Sequence, residues 1–87
     1  MNINMKQQIE ELIEDTEVTV SFWDGFDDAI IGIDTQTHRV IYSYGLCLEI
    51  LKRDMSQEDA IEYFDFNVRD AYIGENTPII CDDFPMF

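Results

Sequence analysis

An 87-residue chain with 19 Asp and Glu against five Lys and Arg, for a net charge of −14, has room for one domain and one modest core, since chains of this size bury only roughly 60 to 65% of their unfolded surface. That length disfavours a deep substrate cavity, and the charge repels nucleic acid and anionic membranes while drawing basic partners from a distance. A composition of 46% hydrophobic and 13% aromatic residues is too apolar for a disordered chain, so the sequence is expected to fold, its aromatic side chains supplying buried area that the short length denies it.

Residues 5–15 place Met5, Ile9, Leu12 and Ile13 at helical spacing, with Asn4 as N-cap. Residues 16–22 alternate, with Val18, Val20 and Phe22 on one side and Thr19 and Ser21 on the other, which predicts a half-buried strand. The Asp24-Gly25 pair marks a turn. Residues 29–33 follow as a short apolar strand or helical turn, in which Gly32 serves either a close backbone approach or a bulge. Beyond the polar residues 34–37, the run 39–42 is β-branched and aromatic, and a hairpin is the simplest arrangement of the two strands.

From Gly45 the period turns helical through Leu46, Ile50 and Leu51, ending near Asp54. Ser56 with Asp59 three residues later is a capping box, and Ala60, Ile61, Phe64, Val68 and Ala71 continue an apolar stripe from it. Gly74 stands where a helix stop uses a positive φ, and Pro78 precedes a last short strand at 79–81, expected at a sheet edge. Residues 82–87 form an acidic, aromatic tail, expected to be loose. The expected fold is α+β, a single domain over 1–87 with a small, mainly antiparallel sheet of three to four strands and two to three helices packed on one face.

Catalytic and metal chemistry find little support. His38, the single histidine, stands beside Arg39 with no Cys or Ser next to it, while Cys47 and Cys81 fall in apolar runs where a thiol resists ionisation. Their separation fits neither a metal knuckle nor the disulfide framework of a secreted mini-protein, so both are expected to be reduced core thiols. Asp24, Asp27 and Asp28 invite a calcium or magnesium reading, but they lack the alternating ligands and closing Glu of an EF-hand loop. No basic segment leads into an apolar run at the N-terminus, and no stretch approaches the about 20 apolar residues that span a bilayer. The expectation is a cytoplasmic protein that is not an enzyme and carries no cofactor or metal.

What remains is the arrangement of acids and aromatics. Asp54, Glu58, Glu62 and Asp65 advance by helical intervals, which on one helix would set neighbours roughly 5 to 6 Å apart in a row, close to the phosphate interval along a nucleic-acid strand. Glu10, Glu14 and Glu17 make a second row, flanked by Glu11 and Asp15. Amphipathic helices ordinarily carry a charged outer face, so solvation alone accounts for such rows. The functional reading is favoured by scarce neutralisation, with only Lys6, Lys52, Arg53 and Arg69 at hand. Among the aromatics, Trp23, Phe26 and Tyr63 are candidates for short-range anchoring, Trp23 above all.

The stretch 23–80 resembles a family of small acidic proteins of tailed bacteriophages and prophages. The matching pieces are Trp23-Asp24-Gly25-Phe26-Asp27-Asp28-Ala29-Ile30-Ile31-Gly32, Val40-Ile41-Tyr42, Ala60-Ile61-Glu62-Tyr63-Phe64 with the preceding Met55-Ser56, Phe66-Asn67-Val68, Ala71-Tyr72 and Gly74-Glu75-Asn76-Thr77-Pro78. The first helix and the tail depart from that pattern. The resemblance implies a setting, a phage-borne accessory protein inside a bacterium, and no catalytic residues. Small acidic phage proteins include inhibitors that occupy nucleic-acid sites on host nucleases, of anti-CRISPR and anti-restriction type, and by analogy of setting and charge the first expectation is a non-enzymatic inhibitor of that kind. Glu10, Glu14, Asp54, Glu58, Glu62 and Asp65 would replace phosphates on a basic protein partner. The alternative is a structural or assembly module, a homodimer formed through apolar contacts such as the Ile79-Ile80 edge, with acidity serving solubility.

Overall fold

The computed structural model describes residues 5–14, 16–69 and 74–82. Helix α1 (Met5–Ile13) forms on the expected spacing and buries Ile9, with Met5 and Ile13 half-buried beside it. Leu12 stands outside that stripe, 68% exposed. Thr16 closes the helix, its backbone N–H and its hydroxyl both donating to the Ile13 carbonyl. Asn4, the expected cap, lies outside the described residues.

The alternating segment 16–22 is not a strand. Alternation reports which side chains are half-buried, whereas a strand also needs a neighbour for its backbone groups. Val20 and Phe22 do pack against the core, and Lys6 of α1 sits 5.2 Å from the Phe22 ring centroid. A 3₁₀ turn (Asp27–Ala29) then leads into β1 (Ile30–Ile33), which pairs antiparallel with β2 (Val40–Ser43) as the expected hairpin. The register jumps between Ile30 and Gly32, leaving Ile31 as the extra residue of a bulge. A Cβ built on Gly32 meets nothing within 4 Å. Gly32 therefore serves no close backbone approach, and it stands next to the bulge.

Asp34 organises the hairpin loop, its Oδ2 accepting from the Thr37 hydroxyl and backbone N–H at 2.7 Å each and from the Gln36 N–H at 3.2 Å. These bonds, the Thr37 hydroxyl first, hold the carboxyl below its ordinary value. His38 closes the loop at φ 60, in the left-handed region where most side chains are strained.

The third strand, β3 (Ile79–Cys81), lies at the sheet edge as expected, giving the order β1-β2-β3. It runs parallel to β2, so the sheet has one antiparallel and one parallel pair. A parallel neighbour requires a long crossover. Here the connection contains α2 (Tyr44–Leu51), α3 (Gln57–Phe64) and a π turn (Asp65–Arg69). Arg39, just before β2, donates from Nε to the Thr77 carbonyl at 2.6 Å and so ties the approach to β3 onto the hairpin. Gly74 has the expected positive φ, 115, while the helix end it was expected to mark lies outside the described residues; its carbonyl accepts from the Thr77 N–H and hydroxyl.

Both helices of the crossover begin on serine caps. Ser43 Oγ accepts from the Leu46 N–H and Ser56 Oγ from the Asp59 N–H. Ser56 is exposed, so Ser56→Ala removes the cap and little else, and is expected to cost about 1 kcal/mol in urea unfolding. Between the layers lie Val40, Tyr42, Cys47 and Phe64, each fully buried, with Phe26, Ile9 and Val68 around them. Neither cysteine is in a disulfide; Cys47 is in the core, and Cys81 is only half-buried. The loose-tail expectation concerns residues of which 83–87 lie outside the described set, as does Ala71.

Candidate interaction surface

Ser56 fixes where α3 begins, and that decides which acids share its surface. Glu58 and Glu62 are exposed on the helix, with Asp59 exposed between them. Asp54 is exposed too, but precedes the cap and lies in the turn after α2. Asp65 opens the π turn half-buried, with its Oδ1 out of contact with solvent. The four-member row thus contracts to Glu58 and Glu62, joined by Asp59. The first row divides as well: Glu10 is exposed on α1, whereas Glu14 and Glu17 are exposed beyond its end. α1 packs on β1 and the 3₁₀ turn, while α3 packs on α2 and runs on into the π turn.

Neutralisation is sparse. Among the described residues two ion pairs form, Lys6 to Asp27 at 3.8 Å and Lys52 to Glu49 at 3.3 Å, and pairs between such solvated side chains contribute about 0 to 1 kcal/mol. Neither involves an acid of α3. Glu58 and Asp59 stand in the first turn of α3, where the helix dipole favours negative charge. Their position therefore suits the fold as well as any partner.

The aromatic candidates separate by burial. Phe26 is 7% exposed, and its ring meets Phe64 edge-on with centroids 6.2 Å apart, so it belongs to the core and is not a surface anchor. Trp23 is half-buried, with its ring 4.9 Å from that of Tyr42. Its backbone N–H donates to the Tyr42 hydroxyl at 2.8 Å, while its indole Nε1 is buried with no acceptor among the described residues. Burial, ahead of all other causes, pushes the Tyr42 phenol up to about 12. Tyr63 is 45% exposed on α3. Phe66, which the sequence reading did not select, is 78% exposed. The signal was present, because Phe66 stands off the apolar stripe that runs through Ala60, Phe64 and Val68.

No group of three or more His, Cys, Asp or Glu among the described residues is placed to hold a metal ion. Among the same residues no helix is long and apolar enough to cross a membrane. Fold and surface together define a small acidic α+β domain with a partly aromatic, carboxylate-rich helix face. Comparison with family models, curated proteins and solved structures found no match to the chain.

Proposed function

We propose that this chain is a non-enzymatic, phage-derived inhibitor that binds a basic, nucleic-acid-binding surface of a host defence or nucleic-acid-processing enzyme, in the manner of anti-CRISPR and anti-restriction proteins. The observation that carries the reading is a net charge of −14 presented through exposed carboxylates at Glu10, Glu14, Asp54, Glu58, Asp59 and Glu62, none of them in an ion pair among the described residues. A surface of that kind lowers the free energy of a cationic cleft as phosphates do, and its long-range field speeds encounter. The phage setting rests on the resemblance of residues 23–80, and the intracellular location follows from it.

Affinity capture from a bacterial host, with the captured protein identified and its binding measured against salt, tests the proposal. The expected partner is a nucleic-acid-binding protein whose affinity for the chain falls at least about tenfold between roughly 50 and 200 mM salt. An affinity that does not change over that range removes phosphate replacement as the mechanism.

One observation favours a second reading, the assembly module. Among the described residues the order β1-β2-β3 leaves β3 at a sheet edge with Ile79 and Ile80 half-buried, and a sheet edge is a pairing site. Light scattering separates the two, since a stable homodimer indifferent to salt supports the module.

A further inference from the structure

The outer face of α3 and its π turn carries two large aromatics on successive turns, Tyr63 at 45% and Phe66 at 78% exposure, while Phe64 and Val68 alternate with them into the core. Residues three and four apart on a helix are surface neighbours. Asp59 is therefore beside Glu62 and Tyr63 on α3, and Phe66, the second residue of the π turn that continues the helix, is exposed three residues beyond Tyr63. Single exposed apolar residues are unremarkable, but two large aromatics three residues apart at this exposure are the kind of feature that marks an interaction site. The π turn is a second such feature, because single π turns are rare and often occur where a helix serves function. It is stabilised locally, with the Asn67 amide donating to the Tyr63 carbonyl at 3.0 Å.

We infer that the Tyr63–Phe66 face is a docking surface for a cationic protein partner, one that offers arginine side chains around an apolar recess. The inference rests on the proposed function and deepens it by naming where the short-range contact is made. Charge complementarity selects this occupant: aromatic faces attract guanidinium groups, and so do the flanking carboxylates of Asp59 and Glu62, both exposed and outside any ion pair among the described residues. The same carboxylates repel nucleic acid and anionic lipid. A second copy of the chain, also at −14, would bring like charges together around the aromatic pair. Charge provides approach, and the aromatic pair provides residence, since buried aromatic anchors at an interface centre carry most of the binding energy.

Two synthetic peptides of equal length, one of arginine alone and one alternating arginine with leucine, serve as probes in an amide chemical-shift titration of the full chain. The alternating peptide is expected to bind about tenfold tighter and to shift the amides of residues 59–67, and Phe66→Ser is expected to abolish that advantage. Phe66 lies outside the core, and the amide spectrum of the variant verifies its fold. If arginine alone binds while the advantage is absent, or survives in Phe66→Ser, the docking surface is wrong and the electrostatic reading stands. If neither peptide binds at low salt, both fall. Self-association of the native chain that Phe66→Ser removes would overturn the inference by assigning the face to a second copy.

Discussion

Phe64→Ala is expected to lower the stability of the chain by about 3 to 5 kcal/mol, with a large fall in its urea midpoint. The Phe64 ring is fully buried and holds edge-on contacts to Phe26 at 6.2 Å and to Tyr44 at 5.3 Å. It therefore joins α3 to both the 3₁₀ turn region and the start of α2. A buried Phe→Ala change costs about 3 to 5 kcal/mol, the lost transfer energy plus the cavity left behind. Folded chains retain only about 0.05 to 0.15 kcal/mol per residue, roughly 4 to 13 kcal/mol for 87 residues, so one such loss removes between about a quarter and all of it. Near-ultraviolet circular dichroism and urea unfolding read the effect. Phe64→Leu, which keeps most of the volume, is expected to stay folded with a lower midpoint, whereas Phe66→Ala, two residues away but 78% exposed, should fall within about 0.5 kcal/mol of the native chain. An unchanged midpoint for Phe64→Ala would contradict the assignment of the core.

Tyr42→Phe acts through a hydroxyl rather than a ring. Tyr42 is fully buried, and its hydroxyl accepts from the Trp23 N–H at 2.8 Å, the contact that fixes residue 23 over the sheet. Deleting the oxygen leaves a partly buried N–H without its acceptor, at a cost of about 1 to 3 kcal/mol. The same hydroxyl sets an alkaline signature. Its pKa rises from 10.0 in the unfolded chain to about 12 in the fold, chiefly by burial, so the unfolded state gives up the proton first. Stability from this group is fully present below pH 10.0 and declines as pH rises towards about 12. The slope is about 1.4 kcal/mol per pH unit across that window, for a total of roughly 2 to 3 kcal/mol. Unfolding midpoints measured from pH 9 to pH 12 (~0.5 unit steps) should show this slope in the native chain and lose it in Tyr42→Phe. A native chain and variant with parallel profiles would show that the phenol is not buried as described.

Local signals were legible because they are local. The Ser56 cap, the hairpin around residues 34–37 and the positive φ at Gly74 depend on a few neighbouring residues, and the sequence places all of them, while the bulge beside Gly32 was one of two alternatives it offered. Two features escaped because their cause is distant. Residues 16–22 alternate like a strand but have no pairing neighbour among the described residues, and the parallel direction of β3 is set by the crossover through α2 and α3. The candidate site divides in the same way. Tyr63, Glu58 and Glu62 lie on the outer face that the apolar stripe implied. Phe26 does not, because an aromatic beside an Asp-Gly turn can point either way, and its ring went to Phe64. Asp54 and Asp65 were assigned to one row by spacing alone, and a cap and a π turn removed them.

The most direct test reverses charge where the acids of α3 are best placed. A Glu58→Lys, Glu62→Lys double variant, confirmed as folded by its circular dichroism, should lose complex formation with the captured partner by more than about tenfold at low salt, while Phe66 and the core remain as they were. Binding by that variant at native strength would mean that these carboxylates do not stand in for a polyanion, and the proposed function would have to be abandoned.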